Sequence, residues 1–278
     1  MIVTPLAPQF SSSWPESHLS RIAIFTATRW EFNAVRRAFH WDCVKQIGGF
    51  RCVIGQEHRL QIFLIKTGVG LDNARAACRA AIASGQWDLM ISSGFAGALG
   101  SSPIGEVLVA NQVLFYPLDA ENLLVADPID CHQAVCAKAF QVARVIGEAP
   151  RLGLIVTVPR IVCLGVEKSQ LAKQTGGIGL DMESAVIGAL AREHHLPFLV
   201  VRTVSDLVNE DFPVDLNLFR ASRVGRRGLA FVLTRPSAWM GFARLGRQMF
   251  LASKQITRFF EEFLRQVGQD GLPIPNGG

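Results

Sequence analysis

Three carboxylates stand beside the most apolar stretches of the chain. The segment "GLDMESAVIGALAREHHLPFLVVRTVSD", residues 179–206, places Asp181 and Glu183 just before an apolar helical run. Asp206 ends "FLVVRTVSD", which otherwise has the composition of a buried strand. Because ionised carboxylates are costly to bury, acids at the ends of such elements indicate chemistry or capping rather than core packing.

Each acid has a chemical and a purely structural interpretation. Asp206 could act as a general acid, since desolvation favours the protonated form of a carboxyl group, or it could be a turn or capping residue. Glu183 could bind a vicinal diol such as a ribose, or it could interact with a helix dipole. For Glu31 taken alone, the favoured interpretation is a solvated acid on the surface of a helix. Glycines in "KTGVG" (66–70) and "SSGFAG" (92–97) suit turns and also let backbone approach a ligand closely.

The elements that must position these residues alternate between strand and helix. Apolar segments such as "RIAIFTA" (21–27), "WDLMISSG" (87–94) and "RLGLIVTV" (151–158) predict buried strands, and residues 130–147 predict a helix. The turn "GFAGALG" (94–100) is expected after the second of these strands. This alternation predicts a three-layer α/β fold, a twisted mixed β-sheet flanked by helices. Since ligands bind at the carboxyl ends of strands in such folds, the acids and glycines should converge there.

Composition places the chain among globular proteins. It has 278 residues, of which 49% are hydrophobic and 18% are charged. No apolar run approaches the roughly 18 residues that span a bilayer, and residues 1–20 are expected to be a loose tail rather than a signal peptide. The six cysteines form no CxxC pair. We therefore expect reduced, buried thiols in a cytoplasmic protein without a metal site.

The net charge of +5 is concentrated near the C-terminus. Residues 216–260 contain no Asp or Glu, and they include basic residues at 220, 223, 226, 227, 235, 244, 247, 254 and 258. Such a block indicates an anionic partner for this part of the chain. Nucleic acid is not expected, because no DNA- or RNA-reading motif accompanies the charge.

Residues 237–267 predict an amphipathic helix that follows a break at Pro236. Its apolar face is expected to comprise Trp239, Phe242, Leu245, Met249, Ile256, Phe260, Phe263 and Val267. Two interpretations remain open for this helix. It could pack on the domain or in a dimer, or it could lie on an anionic membrane surface.

Five segments together resemble a known family. "IAIFTATRWEF", "IKTGVG", "ISSGFAGAL", "GLDMESAVIGALA" and "PFLVVRTVSD" are similar, in order and spacing, to the nucleoside phosphorylase superfamily, above all its methylthioadenosine/S-adenosylhomocysteine nucleosidase branch. The resemblance implies a nucleoside phosphorylase-like catalytic domain at residues 21–234. A tail at 1–20, a basic amphipathic helix at 235–268 and a tail at 269–278 would complete the chain.

The resemblance also implies the chemistry, which is cleavage of the N-glycosidic bond of an adenine nucleoside. Asp206 would protonate N7 of the base, Glu183 would bind the ribose hydroxyls, and Glu31 would activate water. Because this cleavage leaves a cationic sugar and an anionic base, an acid at the base and a carboxylate near the sugar both stabilise the transition state. The implied substrate-binding residues are Met182, Phe95, Gly94, Ser205, Ile161, Val162 and Arg202.

Water is the favoured nucleophile on this resemblance. The phosphorylase branch carries phosphate-binding arginines where this chain has Glu31 and Ser92, although the nearby Arg29 keeps phosphate open as a co-substrate. No cofactor is implied. Family members are dimers or larger, so a homo-oligomer, preferably a dimer, is expected.

Phe95 and its apolar neighbours indicate a pocket for a substrate more apolar than methylthioribose. Together with the C-terminal helix, this is similar to the hopanoid-associated members of the superfamily, which release adenine from the lipid-linked nucleoside adenosylhopane. We therefore expect a role in hopanoid biosynthesis, with peripheral contact to the inner membrane. The alternatives are a purine nucleoside phosphorylase, a methylthioadenosine/S-adenosylhomocysteine nucleosidase, or a non-catalytic protein that binds nucleosides or docks on membranes.

Overall fold

A computed structural model of the chain describes residues 19–118, 127–147, 149–213, 215, 217 and 236–274, with side chains of the last segment from residue 240. Within these ranges no helix is both long enough and apolar enough to span a membrane. The strands are β1 (Ser20–Thr26), β2 (Trp41–Ile47), β3 (Phe50–Glu57), β4 (Leu60–Lys66), β5 (Leu89–Ala98), β6 (Val107–Phe115), β7 (Ile129–Asp130), β8 (Arg151–Thr157), β9 (Gly179–Asp181) and β10 (Phe198–Asp206). The helices are α1 (Arg29–Arg36), α2 (Leu71–Ser84), α3 (Gln133–Ile146), α4 (Gly165–Thr175), α5 (Ser184–Glu193) and α6 (Pro236–Asp270).

The strands form one mixed sheet, in the order β10-β6-β8-β9-β5-β1-β4-β3-β2, with β7 beside β6. Strand β1 runs parallel to both β4 and β5, whereas β2, β3 and β4 form an antiparallel meander. Strand β5 also pairs with β10 in parallel and with β9 in antiparallel. The sheet therefore closes on itself through β5, which brings the ends of β1, β5 and β10 together.

Continuous burial of the central strands explains the layers. Every residue of β10 is buried, and so are residues 22–26 of β1. Because successive side chains of a strand point to opposite faces, a strand buried throughout must be covered on both faces. Helices α2 and α5 pack against each other, and α1 and α3 both pack against α6. The predicted α/β fold, a mixed sheet flanked by helices with an added C-terminal helix, is confirmed.

Helix α6 packs its second half into the core. Ile256, Phe260, Phe263 and Val267 are buried, and the rings of Phe259 and Phe263 stack with their centroids 5.4 Å apart. Packing on the domain, the first of the two interpretations, therefore describes this half of the helix. The predicted basic residues at 220, 223, 226, 227 and 235, the side chain of Trp239 and most of the predicted tails lie outside the described residues.

Two element predictions were wrong in detail. The expected turn at 94–100 is largely strand, because β5 continues to Ala98 and pairs there with β9. The expected helix at 130–147 begins only at Gln133, because Ile129–Asp130 pairs with β6 and the imidazole of His132 accepts the N–H of Val135 as a cap. Strand β2, which is largely exposed, and the polar helix α4 were not predicted.

Candidate active site

A cavity of about 250 Å³ lies where β1, β5 and β10 end and α5 begins. Eight of the predicted site residues line it, namely Glu31, Phe95, Ile161, Val162, Met182, Glu183, Ser205 and Asp206. The other lining residues are Ala27, Thr28, Val69, Ala96, Gly97, Leu180, Asp181, Phe212, Leu245 and Met249. The predicted convergence of acids and glycine-bearing segments at the strand ends is therefore observed.

Backbone N–H groups just after β1 and within β5 hold the Glu31 carboxylate in place. Glu31 occupies the first turn of α1 and forms a capping box with Thr28, whose N–H lies 2.6 Å from Oε2. The N–H of Ala27 also donates to Oε2, at 3.1 Å, and the N–H of Phe95 donates to Oε1, at 2.8 Å. Only 4% of Glu31 is exposed. The interpretation of Glu31 as a solvated helix acid was therefore wrong.

Glu183 stands at the start of α5 but does not cap it. Its Oε1 instead accepts the N–H of Gly70, at 2.7 Å, from the turn that opens α2. Burial raises the pKa of Glu183 to about 7. The guanidinium of Arg202 opposes this rise, whereas the neighbouring Asp181 and Glu31 add to it. Glu183 therefore changes charge near neutral pH.

A buried network supports the acids from behind. Arg202 is 1% exposed, and its Nη2 lies 2.6 Å from Oδ2 of Asp181. The same nitrogen donates to the hydroxyls of Ser92 and Ser184, each at 2.8 Å. The hydroxyl of Thr157 donates to the other oxygen of Asp181, at 2.6 Å. Because its Nε and Nη2 donors are engaged by Asp181, Ser92 and Ser184, the Arg202 side chain is directed into the protein interior.

Two predicted binding residues do not line the cavity. Arg202 is one of them, for the reason just given. Gly94 is the other, because its backbone is packed against the carboxylate of Glu31 and the guanidinium of Arg202 so closely that a Cβ atom would not fit. Both residues lie behind the cavity wall, Gly94 against Glu31 and Arg202 against Asp181, so the expectation that they contact substrate is not met by this geometry.

Asp206 is paired with a lysine that the sequence prediction missed. It is 5% exposed at the end of β10, and its Oδ2 lies 2.5 Å from Nζ of Lys168, whose side chain is wholly buried. Its Oδ1 accepts the hydroxyl of Ser205, at 2.9 Å. Asp206 is therefore a paired residue inside the site rather than a turn or capping aspartate. A lysine in the polar segment "GVEKSQLAKQT" carries no sequence signal of burial, because most such lysines are solvated.

Apolar side chains from two later segments complete the cavity. Phe212 comes from the loop after β10, and Leu245 and Met249 come from the first half of α6. Leu245 and Met249 were predicted on the apolar face of this helix, but their position beside the acids was not. The helical period could have assigned their face, whereas the docking site of the helix depends on the tertiary fold.

The described residues that line the cavity include four carboxylates and no Lys, Arg or His. The ammonium of Lys168 contacts Asp206 but belongs to the layer behind it. Such a lining favours a ligand that is neutral or becomes positively charged, and it disfavours an anion. In the described ranges, no group of three or more His, Cys, Asp or Glu residues could hold a metal ion.

An apolar cavity with converging acids at the strand ends of a mixed sheet defines a small-molecule site of an α/β protein. The family model described as the Phosphorylase superfamily matches residues 21–234. The chain therefore belongs to that superfamily.

Known proteins similar to this chain include nucleosidases. A 5'-methylthioadenosine/S-adenosylhomocysteine nucleosidase from Buchnera aphidicola subsp. Schizaphis graminum is 26% identical over 200 residues, which are 67% of this chain and 84% of that protein. The Streptococcus pyogenes S-adenosylhomocysteine nucleosidase in complex with 5-methylthiotubericidin has a TM-score of 0.72 at 19% identity, covering 94% of this chain and 100% of that one. Helicobacter pylori futalosine hydrolase has a TM-score of 0.70 at 20% identity, covering 89% and 98%. The Streptococcus pyogenes and Helicobacter pylori structures have the same fold as this chain.

Proposed function

We propose that this chain hydrolyses the N-glycosidic bond of an adenine nucleoside and releases adenine. The observation that carries the proposal is the convergence of Glu31, Glu183 and Asp206 on one apolar cavity. Membership of the superfamily and the similarity to nucleosidases that act on adenine nucleosides support the same reaction. The carboxylates of Glu31 and Glu183 would stabilise positive charge on the sugar, and the acid Asp206 would neutralise the negative charge that develops on the base.

Each acid has one step in the proposed reaction. Asp206 gives a proton to N7 of the base while the electron pair of the breaking C–N bond moves onto the base. Glu183 accepts hydrogen bonds from the ribose hydroxyls and, when ionised, favours positive charge on the sugar ring. Glu31 takes a proton from the water whose oxygen bonds to the anomeric carbon. Met182, Phe95, Ile161 and Val162 pack against the nucleoside.

The charges around the cavity support water rather than phosphate as the nucleophile. A phosphate ion would approach four carboxylates, with no cation among the described lining residues. Ser92, where the phosphorylase branch carries an arginine, is buried and bonded to Arg202 and Ser184. Arg29, the residue that left phosphate possible as a co-substrate, is exposed and does not line the cavity. The proposed reaction needs no cofactor.

Adenine release in the presence and absence of phosphate tests the reaction. Purified protein is incubated with 5'-substituted adenosines, and adenine is quantified by chromatography, with the slower variant Asp206→Asn as the control. We expect release that is independent of phosphate. Strict dependence on phosphate, with a sugar phosphate as product, would establish a phosphorylase instead. Binding without turnover would establish the non-catalytic alternative.

We propose further that the 5' substituent is large and apolar, as in adenosylhopane, which would place the enzyme in hopanoid biosynthesis. Phe95, Phe212, Leu245 and Met249 support this, because side chains of this kind favour a hydrocarbon over a charged amino-acid tail. Comparing kcat/KM for adenosylhopane, methylthioadenosine and S-adenosylhomocysteine tests the choice. A preference for S-adenosylhomocysteine would contradict it and favour the methylthioadenosine/S-adenosylhomocysteine nucleosidase alternative.

The exposed face of α6 supports peripheral binding to an anionic membrane, and thereby a cytoplasmic enzyme at the inner membrane. Its exposed side chains recur every three or four residues, and they combine cations with apolar groups, namely Met240, Arg244, Arg247, Phe250, Leu251, Lys254 and Arg258. The apolar face predicted for membrane contact is instead largely turned to the domain. The exposed stripe is therefore the surface that would meet lipid headgroups.

Vesicle co-sedimentation tests this membrane surface. Attraction to anionic lipid is about 1 kcal/mol for each basic residue near the surface, so Arg247→Glu with Lys254→Glu should abolish pelleting with anionic vesicles. The matched control is Arg79→Glu with Lys173→Glu, which reverses two exposed charges elsewhere on the molecule. Equal pelleting of the two double variants would eliminate the membrane proposal.

We also propose a homo-oligomer, preferably a dimer, with residues 21–234 as the catalytic unit and residues 235–268 as an added helix. Exposed apolar side chains on the described surface, among them Trp30, Trp41 and Val44, support self-association. Sedimentation velocity at micromolar concentration measures the state directly. A single monomeric species would contradict the proposal.

A further inference from the structure

Asp206 has a buried cationic neighbour to which the proposed reaction assigns no step. Lys168 lies in the first turn of α4, its side chain is 0% exposed, and its Nζ is 2.5 Å from Oδ2 of Asp206. The same nitrogen donates to the carbonyl of Leu207, at 2.9 Å, and to that of Glu210, at 3.2 Å. An ammonium group has three donors, so each donor has an acceptor. The position and orientation of the ammonium are therefore fixed.

Packing alone does not account for a lysine at this position. Removing an ammonium group from water is costly, and an apolar side chain of similar length would fill the same space without that cost. The ring of Phe212, which lines the cavity, has its centroid 5.0 Å from Nζ. The charge of Lys168 is thus directed at the acid of the site and separated from bulk water.

We propose that Lys168 is a positioning residue for the transfer of a proton from Asp206 to the departing base. This inference rests on the proposed function. When Asp206 gives up its proton, it becomes a carboxylate, and the ammonium of Lys168 is already in place to stabilise that charge. The three hydrogen bonds of the ammonium also fix the carboxyl group against β10 and the loop that follows. The proton goes to the base, Asp206 regains one from solvent after the base leaves, and Lys168 keeps its protons throughout.

Asp206 depends on Lys168 because the surrounding charges are mostly negative. The carboxylates on the segments around the pair are Glu31, Asp181 and Glu183 on the cavity side and Glu167, Glu210 and Asp211 on the other. Glu167 pairs with Arg160, and Glu210 pairs with Arg244. Arg202 is engaged by Asp181. Lys168 is the cation that contacts Asp206 among the described residues.

The test is a double-mutant cycle between Lys168→Met and Asp206→Asn, with adenine release as the readout. We expect Lys168→Met alone to lower kcat by about 10- to 100-fold, part of what a general acid contributes. Without the positive charge beside the acid, the alkaline limb of the kcat/KM profile should move to higher pH. In the Asp206→Asn background, Lys168→Met should cause little further loss, because Lys168 acts through Asp206.

Controls separate this role from a general effect on folding. Lys173→Met removes an exposed lysine of the same helix and should leave kcat and the pH profile unchanged. Lys168→Arg should restore part of the activity and return the alkaline limb toward that of the wild type. The double variant contains neither charge of the pair, so its melting temperature should exceed that of Lys168→Met, which leaves Asp206 unpaired.

The outcomes distinguish the inference from the proposed function. A wild type that releases no adenine from any nucleoside would overturn both. An active wild type whose alkaline limb is unmoved by Lys168→Met would overturn only the role of Lys168. Equal fold-losses from Lys168→Met in the wild-type and Asp206→Asn backgrounds would also overturn it, because the lysine would then act independently of the acid.

Discussion

The charge of Glu183 should make the stability of the protein fall as the pH rises. Burial raises the pKa of this carboxyl group from 4.5 to about 7 in the folded protein. Between these two values the folded state binds more protons than the unfolded state, so stability decreases with increasing pH. Below pH 4.5 the group is protonated in both states and has no effect. Above pH 7 it is ionised in both states, and the full destabilisation is present.

The size of this effect follows from the two pKa values. A difference of about 2.5 between them corresponds to roughly 3 kcal/mol at alkaline pH, because each pKa unit is about 1.4 kcal/mol. At pH 5 most of this destabilisation is absent, since the group is still protonated in the folded state. Between pH 5 and pH 8, the ionisation of Glu183 should therefore destabilise the folded state by about 2 to 3 kcal/mol.

Urea unfolding of the wild type and of Glu183→Gln at pH 5 and pH 8 measures this term. We expect the variant to gain about 2 to 3 kcal/mol relative to the wild type over that interval, because a neutral amide does not ionise. Glu193→Gln, an exposed acid on the same helix, is the control and should follow the wild type. Parallel stability profiles of the wild type and Glu183→Gln would refute the assignment of a buried, destabilised carboxylate.

Three further predictions concern activity. Asp206→Asn should lower kcat for adenine release by about 100-fold or more with little change in KM, and near-normal turnover would remove the acid from the mechanism. Gly94→Ala should lower both activity and melting temperature, because the added Cβ would displace Glu31 or Arg202. Overpacking of this kind costs about 1 to 3 kcal/mol of stability, and an unchanged melting temperature with unchanged kinetics would contradict the prediction. Met249→Gln should raise KM for adenosines with apolar 5' groups, because one lost apolar contact is worth about 1 to 3 kcal/mol of binding. It should leave kcat/KM for adenosine itself within about twofold. An equal loss on both substrates would contradict the position of Met249 beside the 5' group.

The fold and the acids could be predicted because they depend on local patterns. Continuous apolar runs such as "RIAIFT" and "FLVVRTV" require a sheet covered on both faces, and acids at the ends of those runs must converge at one edge. Position beside apolar runs drew attention to Glu183 and Asp206, whereas the role of Glu31, which alone favours a solvated helix acid, came from the family resemblance. Burial of all three residues agrees with that reasoning.

The missed features depend on contacts between distant segments. Lys168 lies in a polar helix, and only the fold brings it to Asp206, 38 residues away in the chain. Arg202 was expected to bind substrate because its position in the sequence matches the site, yet its guanidinium is turned to Asp181. The strand that replaces the expected turn at 94–100 has the same origin, since glycines that suit a turn also permit close packing against side chains.

The two halves of α6 have different roles, and this difference has an evolutionary consequence. Residues 252–267 anchor the helix in the core, whereas Leu245 and Met249 form part of the cavity wall and lie beyond the region that the family model matches. The acids all lie within that region. Selection can therefore reshape the end of the cavity through a few positions near residues 240–250, without altering either the reacting groups or the anchor. Substitutions at Leu245 or Met249 would therefore change the cavity wall while leaving the acids and the buried part of the helix in place.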